Sequence, residues 1–231
     1  PYWMPSDPVY LPLQVGAEGK SLIPGYTPDN TGDNISAKNP HYCELTGLYW
    51  AWKNLSCEYI GLCHYRRYFG HRVHTDDLEK KKAAIFSKAD YEKLLSQYDV
   101  ILPVKRNYYI ETVRSQYEHA HYKKDLDEVE AIMAEKYPEY SAAFTTVMNR
   151  RKLHILNMFA MKKSLFDEYC AWLFDILFTL ESRIDISGYS PYEARICGFL
   201  SERLFNVWLE KQGLKEEPLA YLDRCLGWCE T

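Results

Sequence analysis

The sequence predicts an α/β protein, a mixed sheet flanked by helices with a largely helical C-terminal part. Three observations carry this. Short apolar runs of strand length, at 59–63 and 99–103, alternate with stretches of helical periodicity. The first run leads straight into a dense polar cluster, His64-Tyr65-Arg66-Arg67-Tyr68. That order is expected where an α/β sheet presents ligand groups at the carboxyl end of a strand. From residue 111 onward, apolar residues recur mostly at helical spacing. At 231 residues with 47% hydrophobic composition, the chain suits one domain with an ample core.

The elements follow in order. Residues 1–28 are rich in proline and glycine and read as loop, with at most a short strand near 9–15. Residues 29–39 are dense in Asp, Asn, Ser, Thr and Gly and read as turns. Leu45, Leu48, Ala51, Trp52 and Leu55 mark one buried face of a helix over 41–54. The strand at 59–63 comes next. Residues 75–97 form a charged helical region, with Ser87 and Asp90 as the start signal of a second helix. The run at 99–103 is a strand stopped by Pro103, and 105–109 a basic, aromatic loop. A long helix spans 111–136, Pro138 ends it, and another helix covers 141–151. Residues 153–161 read as an apolar strand and 163–183 as an amphipathic core helix. Ser190, Pro191 and Glu193 form a capping box that opens a helix running to about Gln212. The tail after Gly213 reads as loop with a short aromatic-rich end.

Charge and cysteines narrow the class. A net charge of -4 and a pI near 6.0 argue against a nucleic-acid binder. Seven cysteines show no framework spacing. Cys43, Cys57, Cys63, Cys170 and Cys197 read as reduced core residues, and Cys225 with Cys229 lacks a second pair for zinc. Reduced cysteines, no signal peptide and no long apolar run indicate the cytoplasm. Peripheral association with the inner face of the membrane stays open. Twenty tyrosines and six tryptophans suit sugar faces or, more blandly, core and rim packing.

Several residues invite chemistry. The backbone N–H groups among Asn30, Thr31, Asp33, Asn34, Ser36 and Asn39 either cradle a phosphate or make an ordinary turn into a helix. Glu44 either binds a sugar hydroxyl or complements a helix N-terminus. Arg66 and Arg67 carry two guanidiniums suited to a diphosphate without a metal. In an extended segment His64 and Arg66 face one way, Tyr65 and Arg67 the other. His121 and Asp125 stand four apart on the predicted helix, so the carboxylate either orients the imidazole or makes a surface pair. Glu202, flanked by Arg195 and Arg203 within helical reach, is either an ionised general base or half of a structural pair.

The segments D-N-T-G-D-N-I-S at 29–36, C-E-L-T-G-L-Y-W-A-W-K-N at 43–54 and G-L-C-H-Y-R-R-Y-F at 61–69 resemble the signature of a bacterial capsular and exopolysaccharide biosynthesis family. The later N-M-F-A-M-K-K and G-F-L-S-E-R-L extend the likeness over nearly the whole chain. This family, long filed as a domain of unknown function, has galactofuranosyltransferase-like members. The resemblance implies a GT-A-like nucleotide-sugar-binding sheet, with 1–110 the donor-binding half and 111–231 the acceptor-side half. It implies transfer of galactofuranose from a UDP-sugar to a glycan or lipid-linked glycan. Where GT-A enzymes carry an Asp-x-Asp metal motif this chain has His64-Tyr65-Arg66-Arg67, so donor binding without a metal is expected, with a divalent metal as the alternative. The donor side is then the 30–39 set with Glu44, His64, Tyr65, Arg66 and Arg67. Asn157, Arg195 and Arg203 fall on the acceptor side. Glu202 is the expected base of an inverting reaction, with His121 and Asp125 the alternative acid/base pair. The family places a strand ending in His-Lys before Pro1, which leaves open that a first strand precedes this sequence. Two rival readings are a non-catalytic glycan- or nucleotide-binding module of a larger synthase, and a phosphatase or nucleotidyl enzyme with His64 as nucleophile.

Overall fold

The structure, a computed structural model, describes residues 3–219 and the backbone of 221–223. In chain order, β1 (Leu13–Gln14) and β2 (Thr27–Pro28) form a small parallel pair in the N-terminal loop region. Helices α1 (Asn39–Tyr42) and α2 (Leu45–Asn54) lead into β3 (Tyr59–Leu62) and β4 (Arg67–Phe69). Then come α3 (Leu78–Ala83), α4 (Lys88–Leu95), β5 (Val100–Pro103) and β6 (Arg106–Asn107). Helices α5 (Val113–Ala120), α6 (Lys123–Lys136) and α7 (Ser141–Met148) precede β7 (Lys152–Leu153) and β8 (Phe159–Lys162). The chain continues through α8 (Lys163–Arg183), α9 (Ile196–Gln212), β9 (Glu216–Leu219) and β10 (Tyr221–Asp223).

The main sheet has the order β3-β8-β5-β9, with β8 antiparallel to both neighbours and β5 parallel to β9. It is the expected mixed sheet flanked by helices. The two-residue period of a strand sorts its side chains. Val100 and Leu102 of β5, with Phe159 and Met161 of β8, face the large core shared with α2, α5 to α9. Ile101 and Ala160 face a smaller cluster with Phe69, Phe86, Leu95 and Met158. Gly61 lets β3 approach β8 closely: a Cβ there would lie 2.5 Å from the Phe159 carbonyl oxygen. The sheet draws β3 and β5 from the first half of the chain and β8 and β9 from the second.

Helix α8 spans the predicted 163–183, and α9 ends at the predicted Gln212, capped by Gly213 at φ 61°. Both reciprocal bonds of the Ser190–Glu193 box form, followed by one 3-10 turn before α9. Other expectations need correction. The helix over 41–54 is interrupted at Cys43, which takes φ 52° and splits α1 from α2. The helix over 111–136 breaks where His121 is extended (φ -144°, ψ 178°). The strand over 153–161 survives only at its ends, because Leu156 and Asn157 adopt positive φ of 78° and 51° and make a turn. The tail contains β9, an edge strand, where Pro218 is tolerated. Backbone pairing also joins β10 to β4. Cys57 is exposed and not a core residue, whereas Cys170 and Cys197 are buried. Cys225, Cys229 and the aromatic-rich end lie outside the described residues.

Candidate active site

The polar residues that converge do so where the end of β3, the α1–α2 junction, the 154–158 turn and the first half of α9 meet. The strained Cys43 turns the chain so that Glu44 starts α2, and Glu44 Oε1 accepts from Asn157 Nδ2 at 2.8 Å. Gly198 on α9 permits this corner, since an added Cβ would come within 3.2 Å of Cys43 Sγ. Arg195 Nε donates to Cys43 Sγ at 3.2 Å, and its guanidinium lies over Phe199. Burial pushes the Cys43 thiol up, against the opposing pull of Arg195.

The 154–158 turn is clamped from both sides. Asn206 of α9 accepts from the His154 N–H (2.9 Å) and donates to the His154 carbonyl (2.8 Å). His154 Nδ1 lies 2.5 Å from the Pro103 carbonyl oxygen. The Leu156 peptide then links two candidates. Its N–H donates to Glu202 Oε1 (2.7 Å), and its carbonyl oxygen sits 2.5 Å from His64 Nε2. Asn157 Nδ2 also donates to Ser201 Oγ (2.9 Å). Asn157 is 3% exposed, and among the described residues its Oδ1 has no hydrogen-bond partner.

Burial raises the Glu202 carboxyl above the ordinary range, and the Glu44 charge adds to the rise. Arg203, the Leu156 N–H and His64 oppose it. The expectation that Arg195 and Arg203 both flank Glu202 is corrected in part: among the described residues Arg203 pairs with it, at 3.1 Å, while Arg195 turns to Cys43, and burial leaves the carboxyl raised despite Arg203. Arg203 is itself buried. It donates to the Phe199 carbonyl (3.0 Å) and Gln116 Oε1 (2.5 Å), and lies over Tyr117, so it holds Glu202 from behind.

His121 and Asp125 do not act on each other. The break at His121 puts them on different elements, and Asp125 Oδ1 accepts from the Tyr189 hydroxyl at 2.7 Å. Burial raises the Asp125 carboxyl. His121 stacks on Phe199 with ring centroids 4.1 Å apart, and its Nδ1 is buried without a hydrogen-bond partner among the described residues. Burial, then the Arg203 charge, lowers its pKa to about 4, so it is neutral at pH 7.

The His64–Arg67 segment is a tight turn, not the extended run expected. His64 and Arg67 exchange backbone hydrogen bonds of 3.2 and 2.9 Å, which places Tyr65 and Arg66 at the tip. Tyr65 is exposed and the Arg66 guanidinium lies 4.6 Å from its ring centroid. Residue alternation therefore does not separate Arg66 from Arg67. His64, held against Leu156, is engaged in orienting the turn.

The 29–39 loop is organised by Asp29, a residue that the sequence did not single out. Asp29 is fully buried and accepts from the Gly16 and Ala17 N–H groups, Ser36 Oγ (2.5 Å) and Thr46 Oγ1 (2.6 Å). Asn30 reaches Glu18, Thr31 accepts from Trp50 Nε1, and Asp33 accepts from the Tyr49 hydroxyl. Asn34 bonds the backbone beside it. Asn39 donates to the Cys43 carbonyl and to Thr46, so of this set it reaches the Glu44 corner most directly. Among the described residues no group of three or more His, Cys, Asp or Glu is placed to hold a metal ion.

Residues 1–213 match the family described as a domain of unknown function, DUF4422, and the chain belongs to that family. No curated protein matches it. Among solved structures it is similar to the apo structure of WbbM, a bifunctional glycosyltransferase, with a TM-score of 0.87 and 32% identity. That likeness covers 96% of this chain and 43% of the other, so the chain spans less than half of that protein.

Proposed function

We propose that the chain is a glycosyltransferase that moves a sugar, galactofuranose by family resemblance, from a UDP-sugar to a growing surface glycan. The observation that carries this reading is Glu202. It is a carboxyl raised by burial, fixed by the Leu156 N–H and Arg203, in a fold similar to that of a glycosyltransferase. A carboxylate with a raised pKa is a better proton acceptor for a sugar hydroxyl. In an inverting displacement Glu202 takes the acceptor hydroxyl proton as the oxygen attacks the anomeric carbon and the bond to UDP breaks. Arg66 and Arg67, at the turn after β3, receive the charge on the departing diphosphate. Glu44 and the Asn157 Oδ1 lie beside Glu202 and supply acceptors for donor or acceptor hydroxyls. The reading is metal-independent.

The test is UDP release from UDP-galactofuranose with a glycan acceptor and chelator present. Wild type is expected to turn over, and Glu202→Gln to bind UDP but lose about 100- to 10,000-fold in turnover. Full turnover by Glu202→Gln would sink the assignment of the base, and wild-type activity only with added divalent metal would sink metal independence. A second reading, a nucleotide- or glycan-binding module of a larger synthase, draws on the chain's 43% share of a bifunctional neighbour. It predicts UDP binding without turnover in wild type.

A further inference from the structure

A second surface borders the candidate site and has no part in the chemistry above. Lys105, Arg150, Arg151 and Lys152 line an open cavity of about 790 Å³ beside the C-terminal end of α9. Their clustering runs against a chain whose net charge is -4. Arg150 is matched by Glu210 at 2.7 Å and Lys105 by Glu216 at 3.6 Å. Arg106, Arg151 and Lys152 have no carboxylate partner among the described residues. The β6–β7 ribbon ties the basic segments together, with Asn107 opposite Lys152 and the Tyr108 N–H bonded to the Arg151 carbonyl.

The same ribbon carries exposed apolar side chains. Val104 is 47% exposed, Tyr109 75% and Ile110 88%. Single exposed apolar residues are ordinary, but three within seven positions, next to unmatched cations, are not. The loop that holds them is built. Tyr109 sits at φ 58°, its N–H bonded to Asn107 Oδ1 at 2.9 Å, and the Glu111 N–H bonds the Tyr108 carbonyl. Tyr108, between them, packs on the core and lies within electrostatic reach of Glu202 and Arg203.

We propose that this face docks on an anionic lipid bilayer. Tyr109 and Ile110 enter the boundary between headgroups and acyl chains, and Arg151 and Lys152 meet lipid phosphates. Basic residues framing exposed aromatic and aliphatic side chains suit that boundary, where one end of the contact is apolar and the other wet. A soluble phosphate would use the cations but leave the apolar pair without a role, so charge and apolarity together favour lipid. Among the described residues no helix is long and apolar enough to cross a membrane, so these residues meet the bilayer at its surface. The surface does not depend on the proposed transferase activity; that reading adds only a purpose, an acceptor glycan presented on a lipid next to Glu202.

The experiment is co-sedimentation of the protein with phosphatidylcholine vesicles, with and without phosphatidylglycerol, at low and high salt. Neither donor nor acceptor is present, so failure here is separable from failure of the transferase reading. Wild type is expected to bind the phosphatidylglycerol vesicles and to be released by salt. Arg151→Gln with Lys152→Gln should weaken the partition about 30-fold, about 5-fold for each cation. Tyr109→Ser with Ile110→Ser should weaken it as well and make the remainder more salt-sensitive. Lys88→Gln with Lys93→Gln, the same charge change on exposed α4, should leave it within about 2-fold. All these side chains are exposed, so the variants keep the fold. The proposal is overturned by absence of wild-type binding, by equal losses from the α4 pair, or by displacement with inorganic pyrophosphate at constant ionic strength.

Discussion

In the loop at 29–39 each candidate side chain has a partner inside the fold. Asn30 has Glu18, Thr31 has Trp50, Asp33 has Tyr49, and Ser36 with Thr46 has the buried Asp29. Around Glu202 the accounting differs. A carboxyl is held above its ordinary pKa range by burial, and Asn157 keeps a buried acceptor with no partner among the described residues. In sequence the 29–39 loop is the more polar of the two, since 153–161 and 196–207 are mostly apolar. On the proposed reading, polarity spent internally serves as scaffold and polarity left unspent in a buried place is the candidate substrate contact.

The largest effect separating the two regions is Glu202→Gln, expected to cut turnover about 100- to 10,000-fold with the fold intact. Because the carboxyl must be ionised to accept a proton, wild-type kcat/KM should fall with decreasing pH through a pKa above the ordinary carboxylate range. That limb should vanish in the variant. Asp29→Ala acts on stability instead. Four buried donors lose their acceptor, and unfolding should become easier by about 3 kcal/mol in a denaturant titration. A small loss there would mean that the loop is not scaffold.

His121 sharpens the contrast through pH. Its pKa falls from 6.5 unfolded to about 4 folded, so at neutral pH both states are neutral and nothing is lost. As pH drops from 6.5 toward 4 the unfolded chain takes up the proton and the native one does not, so stability declines. Since the ring is only half-buried, about 1–2 kcal/mol is expected at the acid end. His121→Phe, which keeps the stacking on Phe199, should remove that slope; an unchanged slope would contradict the assignment. Thr31→Ala and Asp33→Ala are the smallest changes, each about 0.5–1 kcal/mol, because their bonds are exposed or half-exposed.

Much of the fold is legible in the sequence wherever apolar period and a cap coincide. Helix α8 has its full apolar stripe, and α9 has Ser190 with Glu193 before it and Gly213 after it. Strand β9 is not legible, because Glu216-Glu217-Pro218 carries no apolar alternation and its pairing to β5 is set over a long range. The backbone reversals at Cys43 and Leu156 occur at residues that usually avoid positive φ, so tertiary contacts impose them, whereas Asn157 is of a type that tolerates it. Glu202, His64, Glu44 and Asn157 could each be named from residue type and position. Their meeting at the Leu156 peptide and the Asn157 amide could not, since backbone groups carry no sequence signature. Asp29 stands at the head of a recognisable motif, but its role depends on Gly16 and Ala17, a dozen residues earlier.

The most direct test is calorimetric titration of UDP, with chelator present, on wild type and on Arg66→Ala, Arg67→Ala, Thr31→Ala and Asp33→Ala. Binding to wild type, a loss in either arginine variant, and unchanged affinity in Thr31→Ala and Asp33→Ala are expected. Binding that survives both arginine changes and disappears in the two loop variants would contradict that expectation and move the nucleotide to the loop at 29–39.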